Sequence, residues 1–387
     1  MTEKSRRIIE IDALRGFALF GILAVNIFVF HAPYAHYGEF YGSVEGFEIV
    51  LQDALLNLFG NKSMLVYAML FGVGFYLQSR QFSMAVFKPY WNRRMAILAL
   101  FGVVHVFVFW FGDILLPYAL LGLLLPFITG LRNRAQLTLA LILFLMHPIY
   151  VALSIALELP QIGMNSDRDL ATFLMVFSSG NYFEIFELRM HEYWSFGNEK
   201  LVIYLPKELG GFILGFQLAK HDFIGFIKTK IRAWLLVLSS IVLVVWYSYN
   251  LKFFGLFDME TMPFIRPLLL ALVYAMDILH ALTWVSLVVY CFKFKLGRWL
   301  LSALAKPGKM SLSNYLMQSF ICVLIFYGFG LGLYGSMHAS ELLALAIGIY
   351  LFQFAFSSWW LRRFKQGPLE KLWRNLSAKA KLRQRTI

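Results

Sequence analysis

Arg15 and Asn26 lie eleven residues apart in an apolar run, IDALRGFALFGILAVNIFV, spanning 11–29. At about 100° and 1.5 Å per residue they share one helix face within roughly 20°, about 16 Å apart along the axis. A guanidinium can hold phosphate or diphosphate, and an amide can hydrogen-bond a carbonyl or orient a base. Both residues are costly in lipid and are therefore functional candidates. Asp12 stands three residues before Arg15, so a second reading has Arg15 paired with Asp12 and reaching lipid phosphate.

Four further polar groups interrupt apolar segments. His105 lies within RMAILALFGVVHVFVFWFGDILLPYA, and Asp113 follows eight residues later. On a continuous helix they sit about 12 Å apart, so contact requires a break at Gly112. His105 is either a buried ring satisfied by a backbone carbonyl or a general base facing a polar cavity. Lys207 and Glu208 follow Pro206 and precede Gly210 and Gly211. That pattern fits a broken helix lining a cavity or an ion pair to other spans. Asp277 and His280 are three residues apart, so they share a face and can pair. Asn314, with Ser311 and Ser313, opens another apolar run, where such groups bond between helices.

These residues need a membrane scaffold. Of 387 residues, 60% are hydrophobic and only 15% charged, whereas soluble domains are about a quarter charged. An all-α, polytopic transmembrane bundle follows. Apolar runs give ten candidate spans at 13–32, 63–79, 95–112, 114–131, 136–157, 201–219, 233–251, 265–292, 310–334 and 341–361. The third and fourth form a candidate helical hairpin. With the N-terminus cytoplasmic, the inner segments carry 27 Lys and Arg residues and the outer ones 6. That asymmetry sets both termini inside. The N-terminus is an uncleaved first span, because a signal peptide has a shorter apolar region and a small-residue cleavage site.

Residues 1–361 form one polytopic domain, with outer segments 33–62 and 158–200 suited to interfacial helices. Residues 362–387 form a basic cytoplasmic tail suited to the anionic inner leaflet. The net charge of +13 is thus assigned to membrane orientation and not to nucleic acid. Cys291 and Cys322 show no disulfide or zinc spacing. No P-loop, HExxH, CxxC or GxSxG is present, and no metal site is expected. The two halves show no repeat, which weighs against transport. A homodimer is compatible with the sequence.

Several segments carry a resemblance. RIIEIDALRGFALFGILAVNI, GVVHVFVFWFGDILLPYALLGLLL, GKMSLSNYLMQS and FKQGPLEKLWR occur in that order, with LVYAMLFGVGFYLQ and SGNYFEIFELRMHEY as weaker matches. Together they resemble the YeiB-like family, domain of unknown function 418. That family is similar in turn to transmembrane acyltransferases, including O-antigen-type acyltransferases and heparan glucosamine N-acetyltransferase. The shared opening is D-x-x-R-G with His or Asn eleven residues after the Arg, here Asp12, Arg15, Gly16 and Asn26.

The resemblance implies a bacterial inner-membrane enzyme. It would move an acyl unit, usually acetyl, from a cytoplasmic CoA donor to a sugar, lipid head group or peptide. Arg15, with Asp12, would bind the donor, Asn26 would serve the thioester or the base, and Asp113 would help position the acceptor. The O-acyltransferase branch has His where Asn26 stands. The glucosamine-acetylating branch has Asn there and a catalytic His about eleven residues on, where this chain has Tyr37. The base is therefore His105, His36 or His31, with His105 favoured because it belongs to the family motif. A transporter or lipid-binding permease, and a noncatalytic membrane partner or sensor, are the alternatives.

Overall fold

A computed structural model of the chain describes residues 8–42, 44–157, 168–195, 197, 203–229, 237, 240 and 265–383. The candidate span 233–251 lies outside the described residues except at two positions. The described elements are helical and include no strand. They are α1 (Ile9–His31), α2 (Tyr37–Gly42), α3 (Phe47–Ser79), α4 (Met84–Val108), α5 (Leu115–Gly122), α6 (Leu125–Ile128) and α7 (Asn133–Ala156). There follow α8 (Leu170–Ser179), α9 (Tyr182–Ser195), α10 (Leu205–Lys220), α11 (Phe223–Thr229) and α12 (Ile265–Cys291). The last four are α13 (Lys295–Lys309), α14 (Ser311–Phe326), α15 (Ala339–Arg363) and α16 (Pro368–Arg383). Among the described residues α1, α3, α4 and α15 are long and apolar enough to cross a membrane, and the bent pair from Asp277 to Lys309 adds a fifth if it is one span.

Helix α1 is the centre of the bundle. Its first turns belong to a core with Leu65, Met69 and Val289, and Leu19 joins a second with Phe75, Trp91 and Phe212. Ile27 and Phe28 join a third with Phe177, Phe326 and Leu342. Close approach comes from small residues, the usual device where lipid offers no hydrophobic drive. A methyl on Gly16 would meet the Leu304 carbonyl oxygen at 2.0 Å, and one on Gly308 would meet that of Asp12 at 1.8 Å. Helices α1 and α13 therefore cross backbone to backbone.

The backbone departs from the expected spans where the sequence carries breakers. Residues 47–59 of the outer segment 33–62 and the span 63–79 form one helix, kinked at Gly60 (φ −23°, ψ −130°). The span 95–112 ends early, at Val108, and 114–131 is two short helices. The span 310–334 stops at Phe326, where the glycine-rich YGFGLGLYG begins; Gly332 and Gly335 there hold positive φ. Pro206 does not break a helix within the described residues. It sits in the first turn of α10, where its missing N–H costs nothing. Beyond the last long helix, α16 packs on α4 and α14.

Candidate functional site

Two of the cavities along α1 meet the polar face that Arg15 and Asn26 share, one at each end. The first, about 240 Å³, is lined by Arg15, Tyr67, Arg94, Lys309, Trp373 and Arg374, among others. Arg15 Nη1 lies 3.2 Å from Asp12 Oδ1. The Arg94 guanidinium stacks 3.6 Å above the Trp373 ring, whose Nε1–H donates to the Arg94 carbonyl at 2.8 Å. Glu370 completes the wall. Its carboxylate accepts from the Leu312 and Ser313 N–H groups (2.8 and 3.1 Å) and from the Ser313 hydroxyl (2.6 Å). A carboxylate there satisfies the orphan N–H groups of α14 and suits its positive end. The GPLE segment is thus a cap supplied by α16. A side chain at Gly367 would strike Glu370 Oε2 at 2.0 Å.

The second cavity is about 390 Å³, within the usual range for small-ligand sites. Asn26 lines it together with residues from three irregular points of the backbone. These are Gly60 to Lys62 at the α3 kink, Trp110 to Ile114 after α4, and Tyr204 with Glu208 at the start of α10. Irregular backbone at membrane depth is tolerated where it lines a polar cavity.

The break after α4 brings His105 and Asp113 together. The chain leaves the helix at Val108, before the Gly112 hinge expected from the sequence, and returns so that Asp113 caps α5. Leu115 N–H and Leu116 N–H donate to its two carboxylate oxygens at 3.1 and 2.7 Å. His105 Nδ1 lies 3.0 Å from Asp113 Oδ1, and Nε2 lies 2.8 Å from the Ser319 hydroxyl. All three are buried, but Asp113 also reaches the cavity. Arg189 of α9 holds the break open. Its buried guanidinium donates to the carbonyls of Phe107 (2.6 Å), Val108 (3.1 Å) and Phe109 (2.5 Å). A cation on these exposed carbonyls complements the helix C-terminus.

A buried ion cluster forms the far side. Asp277 pairs with Lys62 (3.1 Å) and Lys207 (2.6 Å), and not with His280. Neither His280 ring nitrogen has a hydrogen bond among the described residues. Glu208 lies within electrostatic reach of Lys207 and contributes a second negative charge. Removing one member of such a cluster would leave an uncompensated charge, which is costly.

His31 and His36 are occupied elsewhere. His31 Nε2 accepts the Met337 N–H at 2.8 Å, so its proton sits on Nδ1, 3.2 Å from the Tyr41 hydroxyl. His36 faces the Arg168 carbonyl and Glu39, each at 2.8 Å. Neither ring lines the Asn26 cavity. Tyr37 does line it, but burial pushes its phenol up to about 12. It therefore stays protonated at neutral pH. Asn314 lines neither cavity; its amide donates to the Pro307 carbonyl and Ser357 hydroxyl, both at 3.0 Å.

The cavities stand back to back. Ile114 lines one and Leu115 the other, while Tyr118, lining the Arg15 cavity, donates its hydroxyl to the carbonyl of Met64 in the opposite cavity at 3.2 Å. Tyr67 and Tyr118, with ring centres 6.2 Å apart, form the partition. Ser319, Arg189, Lys62 and Glu370 are the groups that residue-by-residue reading passes over. Ser319 closes GKMSLSNYLMQS and Arg189 sits inside SGNYFEIFELRMHEY, so the motifs held the signal while single-residue polarity did not.

Long apolar helices around a charged, cavity-bearing interior define a helical membrane protein. The chain belongs to the YeiB-like family of unknown function, DUF418. That family's model, described as "Protein of unknown function", matches residues 218–380. The uncharacterized protein YxaH of Bacillus subtilis is 30% identical across 97% of this chain and 95% of its own length. The uncharacterized protein YeiB of Escherichia coli is 30% identical across 97% of both chains. An uncharacterized 39.9 kDa protein from Bacillus acidopullulyticus is 29% identical across 96% of this chain. No solved structure matches the chain.

Proposed function

We propose that the protein is a multi-pass acyltransferase of the bacterial inner membrane, with ten spans and both termini cytoplasmic. It moves an acyl unit, acetyl in the simplest case, from a cytoplasmic CoA-type donor to an acceptor hydroxyl or amine. One observation carries this reading: a basic cavity and a carboxylate-bearing cavity meet back to back along one stripe of α1. The excess of Lys and Arg at the Arg15 end assigns that end to the cytoplasm.

Arg15, Arg94, Lys309 and Arg374 bind the donor's phosphates, and Arg geometry suits that task. The acyl-bearing arm passes Tyr67 and Tyr118 toward Asn26. The acceptor heteroatom attacks the thioester carbonyl, its proton passes to the Asp113–His105 couple, and the carbon–sulfur bond breaks. The couple then returns the proton to the departing thiolate. The Asn26 amide N–H steadies the carbonyl oxygen as charge develops. Asp113 is the cavity-facing member of the couple, with His105 orienting it from behind.

Acetyl-CoA binding and acyl transfer or hydrolysis by purified protein test the proposal. Arg15→Ala should weaken donor binding by about tenfold or more, the scale of one charge-assisted contact. Asp113→Asn and His105→Ala should abolish transfer while leaving donor binding intact. Unchanged affinity in Arg15→Ala removes that residue's role, and no CoA binding at all overturns the class. The stacked cavities also favour a permease as second reading; solute flux into liposomes without covalent change would select it.

A further inference from the structure

Helix α13 has three distinct faces. Leu301, Leu304, Ala305 and Gly308 turn toward α1, where Gly308 meets Asp12 and Gly16. Leu296, Trp299, Leu300 and Ala303 recur at three- and four-residue spacing and form a second stripe. Trp299 is 72% exposed and Leu296 68%. Lys295, Arg298 and Lys306 occupy the remaining sector. The helix meets the second half of α12 at a bend of 116°. Where α12 follows the bundle, α13 must therefore run nearly across it.

The charge of the region is one-sided. Residues 293–309 hold five basic side chains and no acidic one. At the same end of the bundle, α15 finishes with Trp359 and Trp360 followed by Arg362 and Arg363. Lys306 reaches over the Phe354 ring of that helix, 5.2 Å from its centre.

We propose that α13 lies in the plane of the membrane and binds an anionic lipid surface. Leu296, Trp299 and Leu300 enter the acyl boundary, and Lys295 and Arg298 meet anionic headgroups. An apolar stripe flanked by basic residues is the pattern that recognises such a surface. Tryptophan at its edge suits the headgroup level. A soluble partner would offer no reason for the matching aromatic and basic belt on α15. This inference is independent of the acyltransferase proposal.

The test uses the full chain in nanodiscs of phosphatidylcholine alone or mixed with phosphatidylglycerol. Lipid that binds only the folded protein raises its melting temperature. The wild type should gain stability from phosphatidylglycerol. Lys295→Glu combined with Arg298→Glu should lose that gain, read for each protein against its own melting temperature in phosphatidylcholine because Arg298 Nε also donates to the Phe292 carbonyl at 3.3 Å. Lys295→Arg should keep it. If the double variant retains the full gain, the headgroup contact is wrong. Trp299→Phe gives a second readout that does not rely on stability. Lipids brominated near the headgroup should quench wild type more than Trp299→Phe. Quenching of Trp299 by aqueous acrylamide instead would show a face open to water. Protection from both quenchers would show a protein partner or second copy covering it, and either result overturns the proposal.

Discussion

Glu192 shows how one carboxyl ties an outer helix to the cavity wall. Its Oε1 accepts the N–H of Tyr34 at 3.0 Å, and Tyr34 lines the Asn26 cavity. Burial pushes this carboxyl up to about 8. The folded state thus favours the protonated form. The stability gained from that preference is complete below the ordinary Glu value, about 4.3, and is lost as pH rises through about 8. The melting temperature of the wild type should therefore fall by several degrees more between pH 6 and 9 than that of Glu192→Gln. Equal slopes would show that Glu192 does not titrate in this range. Of the candidate chemistry, Arg15, Asn26, His105 and Asp113 were legible in the sequence because charge and amide groups stand out in apolar runs. Ser319 was not, because a serine in a helix carries little signal until its partner is known.

Among the elements, the turn after α4 does the positioning. Helix geometry separates His105 from Asp113 by about 12 Å, and only a reversal over 109–114 joins them. The sequence points to Gly112 as the hinge. The helix nevertheless ends earlier, because Arg189 from a distant segment stabilises the carbonyls of Phe107 to Phe109. Such long-range capping has no local signature. Arg189→Ala would leave these carbonyls without their charged donor, at a cost of roughly 3 kcal/mol. Its melting temperature should drop accordingly, and Arg189→Lys should recover only part of the loss, since one ammonium cannot reproduce the guanidinium fork. A variant with wild-type stability would show that the break holds itself.

At the scale of the molecule, hydropathy and charge foretold an all-helical membrane fold, because lipid forces backbone groups to pair within each span. Hydropathy is blind to bends, so it did not anticipate the crosswise α13 or the docking of α16 beneath the bundle. Orientation is open to direct measurement. Alkaline phosphatase fused after Ser195 should be active, and fusions after Arg80 and Thr229 should be inactive. The reverse pattern would invert the assignment of the two cavities.

Helix α1 precedes the other described helices yet takes hydrogen-bond partners from far downstream. Tyr350 donates to the Gly16 carbonyl from 334 residues downstream, Gln318 reaches Leu19 across 299, and His31 takes the Met337 N–H across 306. The bundle closes like a ring whose two ends are its first and last spans. A chain cut short before α14 therefore loses more than its missing helices: α1 is left with an unfilled backbone seam along Gly16, Leu19 and His31.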